Sequence, residues 1–109
     1  MTAAQRWALA LEEWAIPEEI LASAPASPWG FPPEFFADSA SRARAEPLTP
    51  THQEITKAMP GGGVLLDVGS GAGAASLPVA PPASRIVAVD QDPAMLEALA
   101  DLAADRVPV

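Results

Sequence analysis

The sequence predicts an α/β fold: a parallel sheet of which only the first strands are present, preceded by a helical N-terminal extension. Three observations carry this. The apolar run Val64–Val68, with Asp67 inside it, breaks into a loop with glycine at 69, 71 and 73. A short apolar run ending in such glycines reads as a buried parallel strand feeding a tight turn into a helix. A second strand-like run, Arg85–Val89, ends in Asp90, about twenty residues after Gly69, the spacing at which an acid closing strand two reaches a nucleotide-like ligand. Helix signals then follow both strands. The boundary falls near residue 60, which gives a helical extension over 1–60 and the first part of a sheet domain over 61–109.

Taken in order, Thr2 with Gln5 three residues on forms a capping box for a helix to about Trp14. Trp7, Leu11 and Trp14 share one face of it, as expected of an amphipathic helix packed on the body of the protein. A lid over a substrate pocket is the other reading of those rings. Pro17-Glu18-Glu19 starts a short second helix, with proline at the first position and acids in the first turn. From Ala24 to Pro33 four prolines make an ordered loop, because proline fixes the backbone and removes donors. Trp29 and Phe31, with Phe35 and Phe36, form an apolar cluster that pins this segment to the core or walls a pocket.

A helix over about Glu34–Ala45 follows. Thr51 caps the next, to about Met59, with Glu54 as capping-box partner, and His52 sits at the surface or in the cap. Pro60-Gly61-Gly62-Gly63 stops that helix and turns into the first strand. The helix after Gly73 is short, since Pro78 lies within it and Pro81-Pro82 ends it. The last helix is the clearest: Asp92 caps it, Pro93 takes its first position, and Leu96, Leu99, Ala100 and Ala103 line one face. Arg106–Val109 reads as the approach to a third strand.

Composition narrows the partners. The 109 residues suffice for one small domain, and the net charge of -8 carries no basic footprint for nucleic acid; Arg42 and Arg44 are the one close basic pair. Zero cysteines exclude disulfides and thiolate chemistry, and one histidine cannot build a metal centre alone. No secretion signal is visible, and no apolar run approaches the roughly 20 residues of a membrane helix, so a cytoplasmic location is expected. The mean hydropathy of +0.17 is high for so small and acidic a chain, as in a piece of a larger domain.

Each loop glycine has a physical reason. Gly69 lets the chain leave the strand sharply, Gly71 lets a ligand approach the main chain, and Gly73 lets the following helix sit tight against the strand. Asp67, an acid among apolar neighbours, needs a partner, and amides of the glycine loop can supply one.

Asp67-x-Gly69-x-Gly71-x-Gly73 resembles motif I of the class I S-adenosylmethionine (SAM)-dependent methyltransferases, and Val89-Asp90-Gln91-Asp92-Pro93-Ala94-Met95-Leu96 resembles the strand-two end that follows it. The likeness covers about Gly62–Ala104. It implies a Rossmann-like fold with strand order 3-2-1-4-5-7-6 and SAM as cofactor. It implies a cofactor site of Asp67, Gly69, Ser70, Gly71, Gly73, Asp90 and Gln91. Asp67 would face the ammonium of the methionine moiety, Asp90 the ribose diol, and Gln91 the adenine. The methyl acceptor would be a small molecule or a protein, with nucleic acid disfavoured by the charge.

Such enzymes usually have seven strands, and this chain stops near where the third would begin. No catalytic residue is therefore assigned, another chain segment is needed to complete the sheet, and the chain alone is not expected to transfer methyl groups. Two alternatives stay open. Gly69, Gly71 and Ala74 satisfy the fingerprint of a nicotinamide-dependent oxidoreductase, against which Asp67 and Gly73 count. The other is a non-catalytic interaction protein derived from a methyltransferase; a sheet cut short leaves an open edge on Val64–Val68, an aggregation risk unless a partner or the N-terminal segment covers it.

Overall fold

The computed structural model describes residues 1–26 and 30–109. The expected contribution of Trp29 lies outside the described residues. The chain divides into two compact units, Met1–Gly30 and Phe31–Val109, so the division falls at residue 30 and not near 60. The two helices between these positions belong with the strands.

In the first unit, α1 (Ala3–Glu13) opens on the predicted capping box: Gln5 N–H donates to Thr2 Oγ1 at 3.2 Å, and Thr2 N–H donates to Gln5 Oε1 at 2.7 Å. That satisfies two of the helix's orphan donors reciprocally. Pro17 stands one residue ahead of α2 (Glu18–Ser23), with Glu18 and Glu19 in its first turn. No residue of either helix is buried, and Trp14 is 87% exposed. Within this unit the Trp7–Leu11–Trp14 face is not covered by α2. Two short helices have too little apolar surface to enclose a core of their own.

The second unit holds α3 (Pro33–Ala45), α4 (Pro50–Ala58), β1 (Gly63–Val68), β2 (Ala83–Val89) and α5 (Pro93–Ala103). Phe31, Phe35 and Phe36 cluster at the start of α3, with neighbouring ring centroids 5.5–6.1 Å apart. α4 begins two residues earlier than its sequence suggests. Its cap is Thr49, not Thr51, and the capping-box partner is His52, not Glu54. Pro50 decides this, because proline suits the first helical position and places the cap just before it. Glu54 pairs on the surface with Lys57 instead.

β1 and β2 are parallel, in the register Val64↔Arg85 to Val68↔Val89. Ile86, Leu77, Leu99, Ala40 and Ala103 form the buried cluster, and Leu65 and Ala88 pack against it. Side chains alternate along a strand, so Val64, Leu66 and Val68 point the other way, and Val68 is 72% exposed. The first strand is therefore half-buried, where its largely apolar run suggested burial on both faces. α5 buries Met95, Leu99 and Ala103; Leu96 is partly buried and Ala100 is exposed, so its inward face is rotated from the predicted one. Beyond it Val107 is buried, and Ile86 N–H donates to the Pro108 carbonyl at 2.9 Å. One backbone bond thus joins the tail to β2, and among the described residues the sheet has two strands.

Arg44, its side chain only 16% exposed, ties α3 to the end of α5. It donates to the Leu102 carbonyl, and its Nη2 donates to both Asp105 oxygens at 3.1 Å. Arg44→Met keeps the aliphatic bulk and removes every one of these bonds, so it should cost about 1–3 kcal/mol. Urea unfolding measures this; an unchanged midpoint would show that the bonds add nothing net.

Candidate functional site

The two strands end side by side at Val68 and Val89, and the glycine loop folds back over the second of them. Gly69 N–H and Ser70 N–H both donate to the Val89 carbonyl, at 2.7 and 3.1 Å. Gly71 N–H donates to Asp90 Oδ2 at 2.8 Å, and Asp92 N–H donates to Asp90 Oδ1 at 2.9 Å. Gly73 N–H donates to the Ser70 carbonyl at 3.0 Å. The amides of Asp92 and Gly71, in that order, hold the Asp90 carboxyl below the ordinary aspartate range, because both bonds favour the charged form. Asp90 therefore fastens the loop to the turn that opens α5. Each of its oxygens keeps a lone pair, so the carboxylate can still accept from a ligand hydroxyl.

The glycines divide as their chemistry suggests. Gly71, at φ +51°, has no atom within 4 Å of where a β-carbon would stand, so the space beside the main chain is open. At Gly73, φ +93°, a β-carbon would lie 2.9 Å from Leu99 Cγ and 3.0 Å from Leu77 Cγ. Gly73 thus serves close packing, as expected, but against side chains of the core.

The helix expected after Gly73 does not form. The segment is a run of turns ending in a 3₁₀ turn, Leu77–Val79. One α-type bond is made, Leu77 N–H to the Gly73 carbonyl at 2.9 Å. The next such donor to matter would be the N–H of residue 78, bonding the Ala74 carbonyl, and Pro78 has none. His52 Nε2, from α4, lies 3.1 Å from that carbonyl instead. With no helix here, the loop has no positive dipole end behind it.

Asp67 does not satisfy the loop amides: those of Gly69, Ser70, Gly71 and Gly73 are given elsewhere. Its Oδ2 is buried without a hydrogen-bond partner among the described residues. Ser76 Oγ is in the same condition, in a residue 1% exposed. Both residues line one cavity of about 100 Å³ with Ile55, Leu65, Leu66 and Ala75. Ser70 is buried in the loop, whereas Gln91 is exposed in the turn beyond β2.

The structure thus brings Gly69, Ser70, Gly71 and Asp90 together, sets Gln91 beside them on the surface, and turns Asp67 toward the interior with Ser76. Sequence reasoning missed Ser76 and the reach of His52. A signal for the latter was present in Pro78, which leaves a carbonyl in need of a donor. Among the described residues no cluster of three or more His, Cys, Asp or Glu could hold a metal, and no helix is long and apolar enough to cross a membrane. The chain matches no protein-family model, no curated protein and no solved structure.

Proposed function

We propose that the loop Asp67–Gly73 and Asp90 form the cofactor-binding part of a SAM-dependent methyltransferase. One observation carries the reading: the Gly71 amide is given to Asp90 and is not left free. The loop amides at 69, 70, 71 and 73 are all spent internally, and no α-helix follows to present others. A dinucleotide pyrophosphate needs such free amides at a helix N-terminus. What the site offers is carboxylate oxygen and an open approach to the main chain at Gly71. That polarity suits a ligand rich in donors and carrying positive charge.

SAM has a ribose diol, an ammonium group and a sulfonium centre, and when bound it supplies an activated methyl group to an acceptor. Asp90 would hold the diol through its remaining lone pairs, with Gly69, Ser70 and Gly71 forming the floor beneath and Gln91 toward the adenine. Asp67 fits the ammonium in its chemistry, since Oδ2 lacks a partner. The acceptor would be a small molecule or a protein, consistent with the net charge of -8.

Calorimetry with SAM, S-adenosylhomocysteine and NAD tests this. The expected result is binding of both adenosyl compounds and at least about tenfold weaker binding of NAD. Preferential binding of NAD would overturn the methyltransferase reading in favour of a nicotinamide enzyme.

A further inference from the structure

The glycine loop is held from outside itself, through His52. This residue is buried, 7% exposed, and stands at the third position of α4. Its partners fix its tautomer. Thr49 N–H can only donate, and it lies 3.3 Å from Nδ1, beside the Thr49 hydroxyl at 3.0 Å, which can donate to the same nitrogen. The Ala74 carbonyl can only accept, and it lies 3.1 Å from Nε2. The ring therefore carries its proton on Nε2 and accepts at Nδ1. A helix cap alone would use one nitrogen; here both ends of the ring are engaged, and the Ala74 partner lies 22 residues along the chain from His52.

We propose that His52 is a positioning residue for the glycine loop, its Nε2–H standing in for the amide that Pro78 lacks. The pair has a joint effect. Pro78 keeps the segment after Gly73 from winding into a helix, and His52 satisfies the carbonyl this leaves bare. The loop is thereby fixed in the turn conformation that sends its amides to Val89 and Asp90. As a determinant of ligand class the pair rests on the SAM reading above; as a fastening of the loop it does not.

Two substitutions separate cap from fastening. An asparagine amide sits where Nδ1 sits and is too short to reach Ala74, so His52→Asn keeps an acceptor for Thr49 only. A glutamine amide sits where Nε2 sits, so His52→Gln keeps a donor for Ala74. Amide hydrogen exchange of the full chain reads the loop at Gly73 and Leu77 and the cap at Gln53, which donates to the Thr49 carbonyl. In His52→Asn, exchange at Gly73 and Leu77 should rise about tenfold with Gln53 little changed, and in His52→Gln it should stay within about twofold of the parent. Pro78→Ala restores an amide at the right place and should render His52→Asn nearly harmless.

Equal loosening in the Asn and Gln variants, or an equal loss with and without Pro78→Ala, would overturn the proposal. If His52→Asn alone fails to fold, recovery of folding by Pro78→Ala supports it and continued failure refutes it. The ring's ¹⁵N shifts supply a separate check, since protonation on Nδ1 would contradict the assigned tautomer. Titration with S-adenosylhomocysteine follows the exchange measurement: affinity should fall with the loop in His52→Asn and return in His52→Gln. A chain that binds no adenosyl compound in any form would remove the SAM reading and leave the exchange result to decide the role of His52.

Discussion

Gly73→Ala is expected to unfold the Phe31–Val109 unit or bring it close to unfolding. Two costs coincide at this residue. A left-handed backbone at φ +93° strains any residue with a β-carbon, and that carbon would meet the Cγ atoms of Leu99 and Leu77 at about 3 Å. Leu77 and Leu99 are both fully buried, so neither can swing aside without moving the core. Together strain and overpacking should cost about 2–5 kcal/mol, a large share of the stability of a domain this small. Thermal melts by circular dichroism measure it. Gly71→Ala is the matched control: it has the same sign of φ but open space around it, so it should lose about 1 kcal/mol and bear chiefly on ligand approach. A Gly73→Ala melting temperature within a few degrees of the parent would mean that the core yields where the packing says it cannot.

Asp90→Ala should be the next most damaging change, in two separable ways. It removes the acceptor for the Gly71 and Asp92 amides, which should cost about 2–3 kcal/mol of stability. It also removes the proposed ribose contact, so adenosyl-compound affinity should fall further than loop loosening alone explains. The linkage to pH has a definite sign. The folded state depresses the Asp90 pKa, so the unfolded chain takes up this proton first as pH falls. The stabilisation is complete above the unfolded aspartate pKa and is lost as pH drops through the folded one. Between about pH 6 and about pH 3 the parent should therefore lose stability more steeply than Asp90→Asn. Parallel urea midpoints for the two proteins over that range would show that the carboxylate contributes nothing through its charge.

What was legible in the sequence was mostly local. The Thr2–Gln5 box and the Asp92–Pro93 start are signals contained in a few residues, and they hold because a helix terminus is satisfied by its near neighbours. β1 and β2 declared themselves by composition, and Asp90 by its distance from the loop. The misreadings have equally particular causes. Thr51 looked like a cap until Pro50 is allowed its preferred place. The helix after Gly73 was expected in spite of Pro78, whose missing N–H outweighs the tendency of the alanines around it.

The exposure of Val64, Leu66 and Val68, the rotation of α5 and the bridge from His52 to Ala74 all depend on which elements meet in space. No pattern within one element carries that information. Asp67 falls between these cases. Its need for a partner was readable, but not that its Oδ2 would share a cavity with Ser76.

The parallel register of β1 and β2 also fixes an order of events in time. Antiparallel neighbours can zip from a two-residue turn, but Val64 meets Arg85 only after the whole intervening segment has closed on itself. The conformational entropy of that closure is spent before the first rung of the ladder returns anything. Pro78 lies within the segment, and by narrowing the unfolded chain it makes the closure cheaper. The same proline that denies the segment a helix therefore shortens the search by which the two strands find each other.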